Sequence, residues 1–402
     1  MKIAYLAPEI PGFSSTFVNN EILWLEDDGI SVIPISVHKP KIAHDSNNLA
    51  DRTIYLYDFK LISFIASTAI ISIRNPLSFL KSVSLLFGDI KKTGFLKITS
   101  AKLSYQFLAA NHLARILLKK QCSHLHVHFM DVPAQIAMYA SSLSGIPFSI
   151  TAHANDIFEN AFLLRTKSER ATKIITISEF NRQYLIKQGV PEDKLTIVRC
   201  ATKTPKNPKN HDEPIPIAPT IGSLGRLVEK KGMDILLKAI KILIQNGHKT
   251  HLQIAGSGPL ENELKSLSAE LGISPNVTFI GAIANEQVPD WLNKIDIFVL
   301  ACQIDSAGDM DGIPVVLMEA MAHGVPVIST KLSGIPELVI PNKTGLLAEP
   351  GSASDLAKKI AEMINNPETR KVFCNNALQH INSEFSIPIN RKRLEQVFSA
   401  NT

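Results

Sequence analysis

The chain is poor in cysteine: four in 402 residues, Cys122, Cys200, Cys302 and Cys374, far apart and without a C-x-x-C spacing. That argues against a disulfide framework and against cysteine-ligated zinc, and it suits reduced thiols in a cytosolic protein. Long apolar runs are also missing. The longest, "LISFIASTAIISI" from Leu61 to Ile73, is shorter than the roughly 20 residues a membrane-spanning helix needs. The opening "MKIAYLAPEIPGF" has too short an apolar run for a signal peptide and no cleavage-site pattern, so a cytoplasmic location is expected. What the chain does have is length, with 45 % apolar residues. A chain of 402 residues exceeds what one core usually serves, so two domains of roughly 150 to 200 residues are expected.

Acid is scarce in one region. Between Lys60 and Lys120 stand Lys60, Arg74, Lys81, Lys91, Lys92, Lys97, Lys102, Arg115, Lys119 and Lys120 against the single acid Asp89. Phe64, Phe79, Leu85, Leu86, Phe87 and Phe95 are interleaved with them, a pattern for helices that rest on an anionic membrane surface. A solvated basic face on core helices is the plainer reading of the same residues. No aromatic-basic signature of a nucleic-acid reader accompanies the charge.

Strands and helices alternate throughout. "KIAYLAP", the loop "EIPGFSS", the helix "TFVNNEILWLEDDG" and "SVIPISVH" form a β-α-β unit whose first loop feeds a helix N-terminus, a place for an anion. Helical segments run from about Leu61 to Gln121, followed by "HLHVHF", a helix from about Pro133, and the strands "PFSITAH" and "KIITIS". The stretch 201–219, "ATKTPKNPKNHDEPIPIAP", carries five prolines and reads as a linker. A second alternating series follows, from "IGSLGRL" to "PVIST". The expected fold is α/β, with two Rossmann-like, doubly wound parallel-sheet domains facing across a cleft and ligands at the carboxyl ends of the strands. The expected division is 1–200, a linker over 201–219, a second domain over 220–382, and a C-terminal helix over 383–402 that can cross back to the first domain.

Each motif sits at a strand's end. "GRLVEKKG" places Arg226 and Lys231 between a strand and a helix, where two cations and free amides suit a diphosphate, or simply make an exposed charged loop. "IAGSGPL" has Gly256 and Gly258 but Glu261 where a dinucleotide fingerprint wants its third glycine, so it is a weak NAD signal. "HLHVHF" puts His124, His126 and His128 on one strand face, a spacing that can ligate zinc, yet with no third ligand or open position evident. The preferred reading keeps His128 at the strand end facing the cleft. "TAHANDIF" offers His153 and Asp156 after another strand. In "GDMDGIPVVLMEAMAHG" the Asp309-x-Asp311 spacing is one by which metal can be held, but it leads straight into a helix whose free amides Asp311 could cap. Cap, ligand contact, or both remain open for Asp311. That helix, with Pro314 at its first position and Gly324 past its last, is apolar on all sides except Glu319, and a helix of this kind is buried all round. A carboxylate there is costly unless a protein donor or a ligand hydrogen-bonds it.

"TAHANDIF", "GSLGRLVEKKG", "IAGSGPL" and "DGIPVVLMEAMAHGVPVIST" together resemble family 4 glycosyltransferases, retaining enzymes of the two-Rossmann GT-B fold, over nearly the whole chain. "PGFSSTFVNNEI" and "HLHVHFMDVPAQIA" look closest to bacterial exopolysaccharide transferases of the colanic-acid type. The resemblance implies that Glu319 is the second acid of an E-x7-E element and accepts hydrogen bonds from the nucleotide ribose. Asp311 stands where the first acid belongs and would contact the donor sugar, helped by the backbone from Gly312 through Ile313 and Pro314 to Val315. Arg226 and Lys231 match the diphosphate pair, which stabilises the leaving group without a metal. His153 matches a histidine beside the donor sugar. The loop with Gly12, Ser15 and Thr16 would lie near phosphate and acceptor, and His128, Asp156 and Gly256 complete the expected substrate-binding set. Two departures stand out: the first acid is Asp rather than Glu, and Ser14-Ser15-Thr16 replaces the Ser-Glu-Thr of many relatives.

The implied activity is transfer of a hexose, from UDP-hexose first or GDP-mannose second, to a lipid-linked or polysaccharide acceptor in cell-surface polysaccharide synthesis. No cofactor or metal is expected, and no nucleic acid. A peripheral place on the inner face of the plasma membrane is a further expectation. The competing readings are a sugar-nucleotide epimerase or phosphorylase on the same fold, an NAD-dependent dehydrogenase, and a non-catalytic nucleotide-sugar-binding protein.

Overall fold

The computed structural model describes residues 1–12, 16–40, 48–158, 162–209 and 216–399. The chain divides into two compact units, one of Met1–Ile177, Arg182–Val198 and Arg391–Thr402, the other of Ser178–Asn181 and Arg199–Asn390.

The first unit is a seven-stranded sheet of β1 (Lys2–Glu9), β2 (Ser31–His38), β3 (Ile54–Tyr55), β4 (His124–His128), β5 (Phe148–Ala152), β6 (Lys173–Thr176) and β7 (Leu195–Ile197). All pairs are parallel and the order is β3-β2-β1-β4-β5-β6-β7. Side chains alternate across a strand, and β1 shows this cleanly. Its Ile3, Tyr5 and Ala7 join Val18, Ile22 and Leu25 of the helix Thr16–Asp27 with Leu394, Val397 and Phe398 from the chain's end. Ala4 and Leu6 belong to the opposite cluster with Leu125, Val127 and Ile150. Both faces are therefore covered, as a parallel sheet requires.

Three helices, Leu61–Arg74, Pro76–Thr93 and Ile98–Lys120, fill the long basic insertion between β3 and β4. Asp89, the one acid there, is fully buried. Arg170 grips it with two bonds of 2.7 and 2.9 Å, and the Tyr139 hydroxyl donates a third at 2.8 Å. All ten cations between Lys60 and Lys120 are exposed, so that surface keeps its positive charge while its only carboxylate is neutralised inside. Of the interleaved apolar residues, Phe64 is core, but Phe87 and Phe95 are exposed, joined by Ile62, Leu77, Leu80 and Leu96.

The second unit is a six-stranded parallel sheet of β8 (Thr220–Leu224), β9 (His251–Ala255), β10 (Val277–Gly281), β11 (Ile297–Val299), β12 (Val327–Thr330) and β13 (Leu346–Ala348), in the order β10-β9-β8-β11-β12-β13. The first half of the proline-rich stretch expected as a linker is held against this unit. The Lys209 amide donates to His323 O at 2.8 Å and its Nζ to Ile295 O at 2.8 Å, while Thr202 bridges to Ser386; residues 210–215 lie outside the described residues.

Glycine is demanded where the loops of this unit meet. Gly232 has φ 62°, and a Cβ on it would stand 1.9 Å from Ala301 O. A Cβ on Gly256, at φ 126°, would meet Gly225 O at the same 1.9 Å. No side chain fits either place.

In each sheet the order reverses beside the unit's first strand, between β1 and β4 and between β8 and β11. Those are the switch points at which open α/β sheets bind ligands.

Candidate functional site

In the second unit the loops leaving β8 and β11 meet at the switch point. A single 3₁₀ turn, Glu229–Lys231, follows β8 and is locked from below by Gly232. Lys231 Nζ donates to Asp311 Oδ2 at 2.7 Å, and Lys230 Nζ donates to Asp309 Oδ2 at 2.6 Å and lies 3.7 Å from Asp311 Oδ1. Burial opposes charge on Lys231, but Asp311 and its neighbours together raise its pKa. Burial likewise opposes the charge on Asp311, and Lys231 and Lys230 outweigh it, holding that carboxyl below the usual range. The Cys302 thiol also donates to Asp311 Oδ2 at 3.5 Å. Arg226 is exposed and has no side-chain partner among the described residues.

The helix after this loop runs Val315–Ala322, one residue later than the sequence suggests. Pro314 is its extended N-cap at φ −64° and ψ 124°, and no side chain caps it. The capping role open to Asp311 is therefore not used, because its carboxylate is spent on Lys231. Gly324, at φ 76°, ends the helix as expected. The expectation of burial all round needs correction too. Val315, Val316 and Glu319, adjacent on one stripe, are only half-buried. Glu319 has no hydrogen-bond donor among the described residues, and its oxygens are not sealed from solvent. Burial alone pushes its pKa up to about 7. Gly312, Ile313 and Pro314 are buried beneath the turn. Gly256 presses on the Gly225 carbonyl and so sets the floor of the Arg226 loop.

The first unit has its own cluster at the ends of β1, β4 and β5. His128 ends β4 and is fully buried, with both ring nitrogens engaged: Nε2 at 3.1 Å from Glu21 Oε1 and Nδ1 at 3.1 Å from His153 Nε2. No ring nitrogen of His128 is left for a substrate. Tyr5 donates its hydroxyl to the same Glu21 oxygen at 2.8 Å. His126 bonds Ser149 Oγ at 2.8 Å and Thr151 Oγ1 at 3.0 Å, and His124 bonds Ser149 Oγ at 2.8 Å. Burial lowers the pKa of both, His124 to about 4.

Glu21, His126 and His128 bring ligand-type atoms within 4.8 Å of one another. Glu21 Oε1 is bonded to His128 Nε2 and Tyr5, and His126 Nε2, 3.8 Å from that oxygen, is bonded to Thr151, so each of these atoms already has a protein partner.

Asp156, expected in the substrate-binding set, is turned onto the backbone. It is buried, and its two oxygens accept the backbone N–H groups of His153 at 2.8 Å and Met130 at 2.5 Å, which fixes the loop that carries His153. Burial pushes its pKa to about 7 against those amides. Buried Lys167, which donates to Met130 O, is lowered by burial to about 8. His153 itself is 7 % exposed. Gly12 exchanges hydrogen bonds of 3.3 Å with the Asn19 side chain, and Thr16 begins its helix. Ser15 lies outside the described residues.

Sequence reasoning missed Glu21, Tyr5 and Lys230. A signal for Glu21 was present: it falls among Val18, Ile22 and Leu25 on the buried face of its helix, a carboxylate on an apolar stripe.

Comparison with known proteins gives these arrangements a context. Residues 205–380 match the model of "Glycosyl transferases group 1", and residues 90–204 that of "Glycosyltransferase Family 4". The chain is 31 % identical to the amylovoran biosynthesis glycosyltransferase AmsK of Erwinia amylovora, covering 89 % of each. It is 37 % identical over 147 residues, 36 % of this chain and 38 % of the relative, to a GDP-mannose-dependent phosphatidylinositol monomannoside mannosyltransferase of Mycobacterium tuberculosis. Among solved structures, HepE of Anabaena in complex with UDP superimposes with a TM-score of 0.73 over all of both chains at 15 % identity, which speaks for the fold. The two parallel-sheet units are those of a GT-B protein, and the chain belongs to the family 4 and group 1 glycosyltransferases.

Proposed function

We propose that the protein is a metal-independent, retaining hexosyltransferase that moves a sugar from a nucleotide-sugar donor to a saccharide or lipid-linked saccharide in exopolysaccharide assembly. The observation that carries this reading is Glu319: a half-buried carboxylate with no donor among the described residues, on the helix that follows β11. A group in that state is an acceptor awaiting donors, and the vicinal hydroxyls of a ribose supply two.

The chemistry then follows from the neighbouring charges. Arg226 and Lys231 face the diphosphate and stabilise the negative charge that grows on it as the bond from the anomeric carbon breaks. The acceptor hydroxyl attacks from the same face, and its proton passes to the departing phosphate oxygen. Asp309 and Asp311 are each paired to a lysine, which supports a diphosphate grip made by cations of the chain. UDP-hexose is the first donor to test and GDP-mannose the second; the mycobacterial relative supports the latter. The amylovoran relative supports a polysaccharide acceptor.

The basic insertion supports a further element of this reading, seating on an anionic membrane surface at the cytoplasmic face. Exposed Ile62, Leu77, Leu80, Phe87, Phe95 and Leu96 stand among exposed lysines, and Asp89, the one acid between Lys60 and Lys120, is buried. Among the described residues no helix is long and apolar enough to cross a membrane.

Thermal unfolding with UDP, GDP, ADP, NAD and their sugar conjugates in excess EDTA tests the central reading. One nucleotide diphosphate should stabilise the protein, by about 2.7 kcal/mol at a hundredfold excess over its Kd, and Glu319→Ala should lose the shift. Stabilisation by NAD alone, or by nothing, rejects it. Product with inverted anomeric configuration rejects retention.

A further inference from the structure

The cluster that ends β4 and β5 is a chain of hydrogen bonds anchored at one end on a carboxylate. A carboxylate only accepts, so the contact between Glu21 Oε1 and His128 Nε2 at 3.1 Å requires the proton on that nitrogen. In neutral His128 the other nitrogen, Nδ1, is then bare, and the 3.1 Å contact to His153 Nε2 requires His153 to donate. The two imidazoles are inclined by only 18° with centroids 5.4 Å apart. That separation exceeds the distance between the bonded nitrogens by about two ring radii, so the rings meet edge to edge in nearly one plane, as a straight N–H···N bond needs.

His153 is steered on its flanks as well. The rings of Phe17 and Phe129 stand 4.6 Å from it, centroid to centroid. Phe129 keeps this place at φ 75°, a conformation bulky residues avoid and that tends to occur where surrounding structure enforces it.

The remaining nitrogen of His153, Nδ1, has no partner among the described residues and is not among the sealed, unpaired polar atoms. We infer that Glu21 and His128 are positioning residues that hold His153 in the tautomer with a bare Nδ1, so that its ring accepts a hydrogen bond from a hydroxyl of the bound saccharide. The inference rests on the transferase reading above. Burial opposes a proton on His153, which agrees with a neutral, accepting ring.

The experiment combines nitrogen-15 imidazole spectra of the full chain with steady-state kinetics on the donor found by thermal unfolding. Wild type should show His153 protonated at Nε2 and bare at Nδ1. Glu21→Leu removes the acceptor that sets the polarity, so both His153 tautomers should appear, and kcat should fall by about 10- to 100-fold with the donor KM within about twofold. Glu21→Gln keeps an oxygen acceptor and should restore most of kcat. A wild-type His153 protonated at Nδ1, or a Glu21→Leu protein with unchanged spectrum and kcat, overturns the inference. So does stoichiometric zinc in the purified protein, which would make Glu21, His126 and His128 a metal site. Failure of every nucleotide to stabilise the wild type would instead reject the transferase reading, and the spectra would still decide the tautomer.

Discussion

Lys231 Nζ lies 2.7 Å from Asp311 Oδ2 and joins the turn after β8 to the loop after β11 across the switch point of the second sheet. The cation expected at the diphosphate and the acid expected at the sugar thus hold each other in place. Asp311→Asn should lower transfer by about 100-fold or more, the range for loss of one preorganised group, yet leave binding of the bare nucleotide diphosphate within a few-fold. Calorimetry on the nucleotide diphosphate beside kinetics on the sugar nucleotide separates the two effects. Equal loss in both would mean that Asp311 acts only by fixing Lys231.

Glu319 should make donor affinity depend on pH. In the free protein it titrates near 7 because it is buried. Ribose hydroxyls that donate to the carboxylate favour its charged form, so binding below pH 7 must expel a proton. Affinity should fall about tenfold per pH unit as the pH drops below 7 and level off above it. Glu319→Gln should bind weakly and without this slope, and a sloping profile for the variant would assign the proton to another group.

The same residue should weaken the free protein in base. Its folded pKa of about 7 lies above the ordinary 4.5, so the folded state holds the proton more tightly. Its stabilising contribution is complete below pH 4.5 and disappears as pH rises through 7, by up to about 3 kcal/mol. Glu319→Gln does not suffer this loss. Urea unfolding should find the variant more stable than wild type at pH 8 and matched to it at pH 4.5. An equal gap at both values would point to packing.

In the first unit, Arg170→Ala should leave buried Asp89 with only Lys92, 3.8 Å away, as an ionic partner and cost up to about 3–5 kcal/mol. Adding Asp89→Asn removes the stranded charge and should recover part of that loss. A double variant no more stable than the single would show that Arg170 works through its packing on the Tyr139 ring, 5.7 Å away.

Vesicles test the basic insertion. The protein should sediment with anionic vesicles at low salt and far less with neutral ones or at high salt. Leu77→Asp with Leu80→Asp should release it without altering nucleotide binding. Retention of the double variant would show that these two apolar side chains are not needed for binding.

Much of this was readable in advance because long elements declare themselves. The strands around Tyr5, His126 and Ile254 were clear from their β-rich apolar runs and loop boundaries, as was the helix ending at Gly324. The short edge strands Ile54–Tyr55 and Leu346–Ala348 were not, since two or three residues carry no period. The sequence singles out the acids at 311 and 319 by their place in a motif, but not their states. Whether Asp311 caps a helix or meets Lys231 depends on a loop contact between residues 80 positions apart, and no local pattern encodes it. The sequence points to His128 as a contact for substrate, and only the sheet shows that its neighbours occupy both nitrogens.

The close backbone approaches at Gly225, Gly232 and Gly256 limit how this site can diversify. With a carbonyl where any Cβ on Gly232 or Gly256 would stand, the floor beneath Arg226 cannot be re-tailored by substitution. On the transferase reading, a change of donor sugar is expected from the side chains of 303–316, where the chain lies against the turn through Lys230 and Lys231 and the Glu229 carboxylate. Libraries aimed at new donors should randomise that loop and spare the glycines.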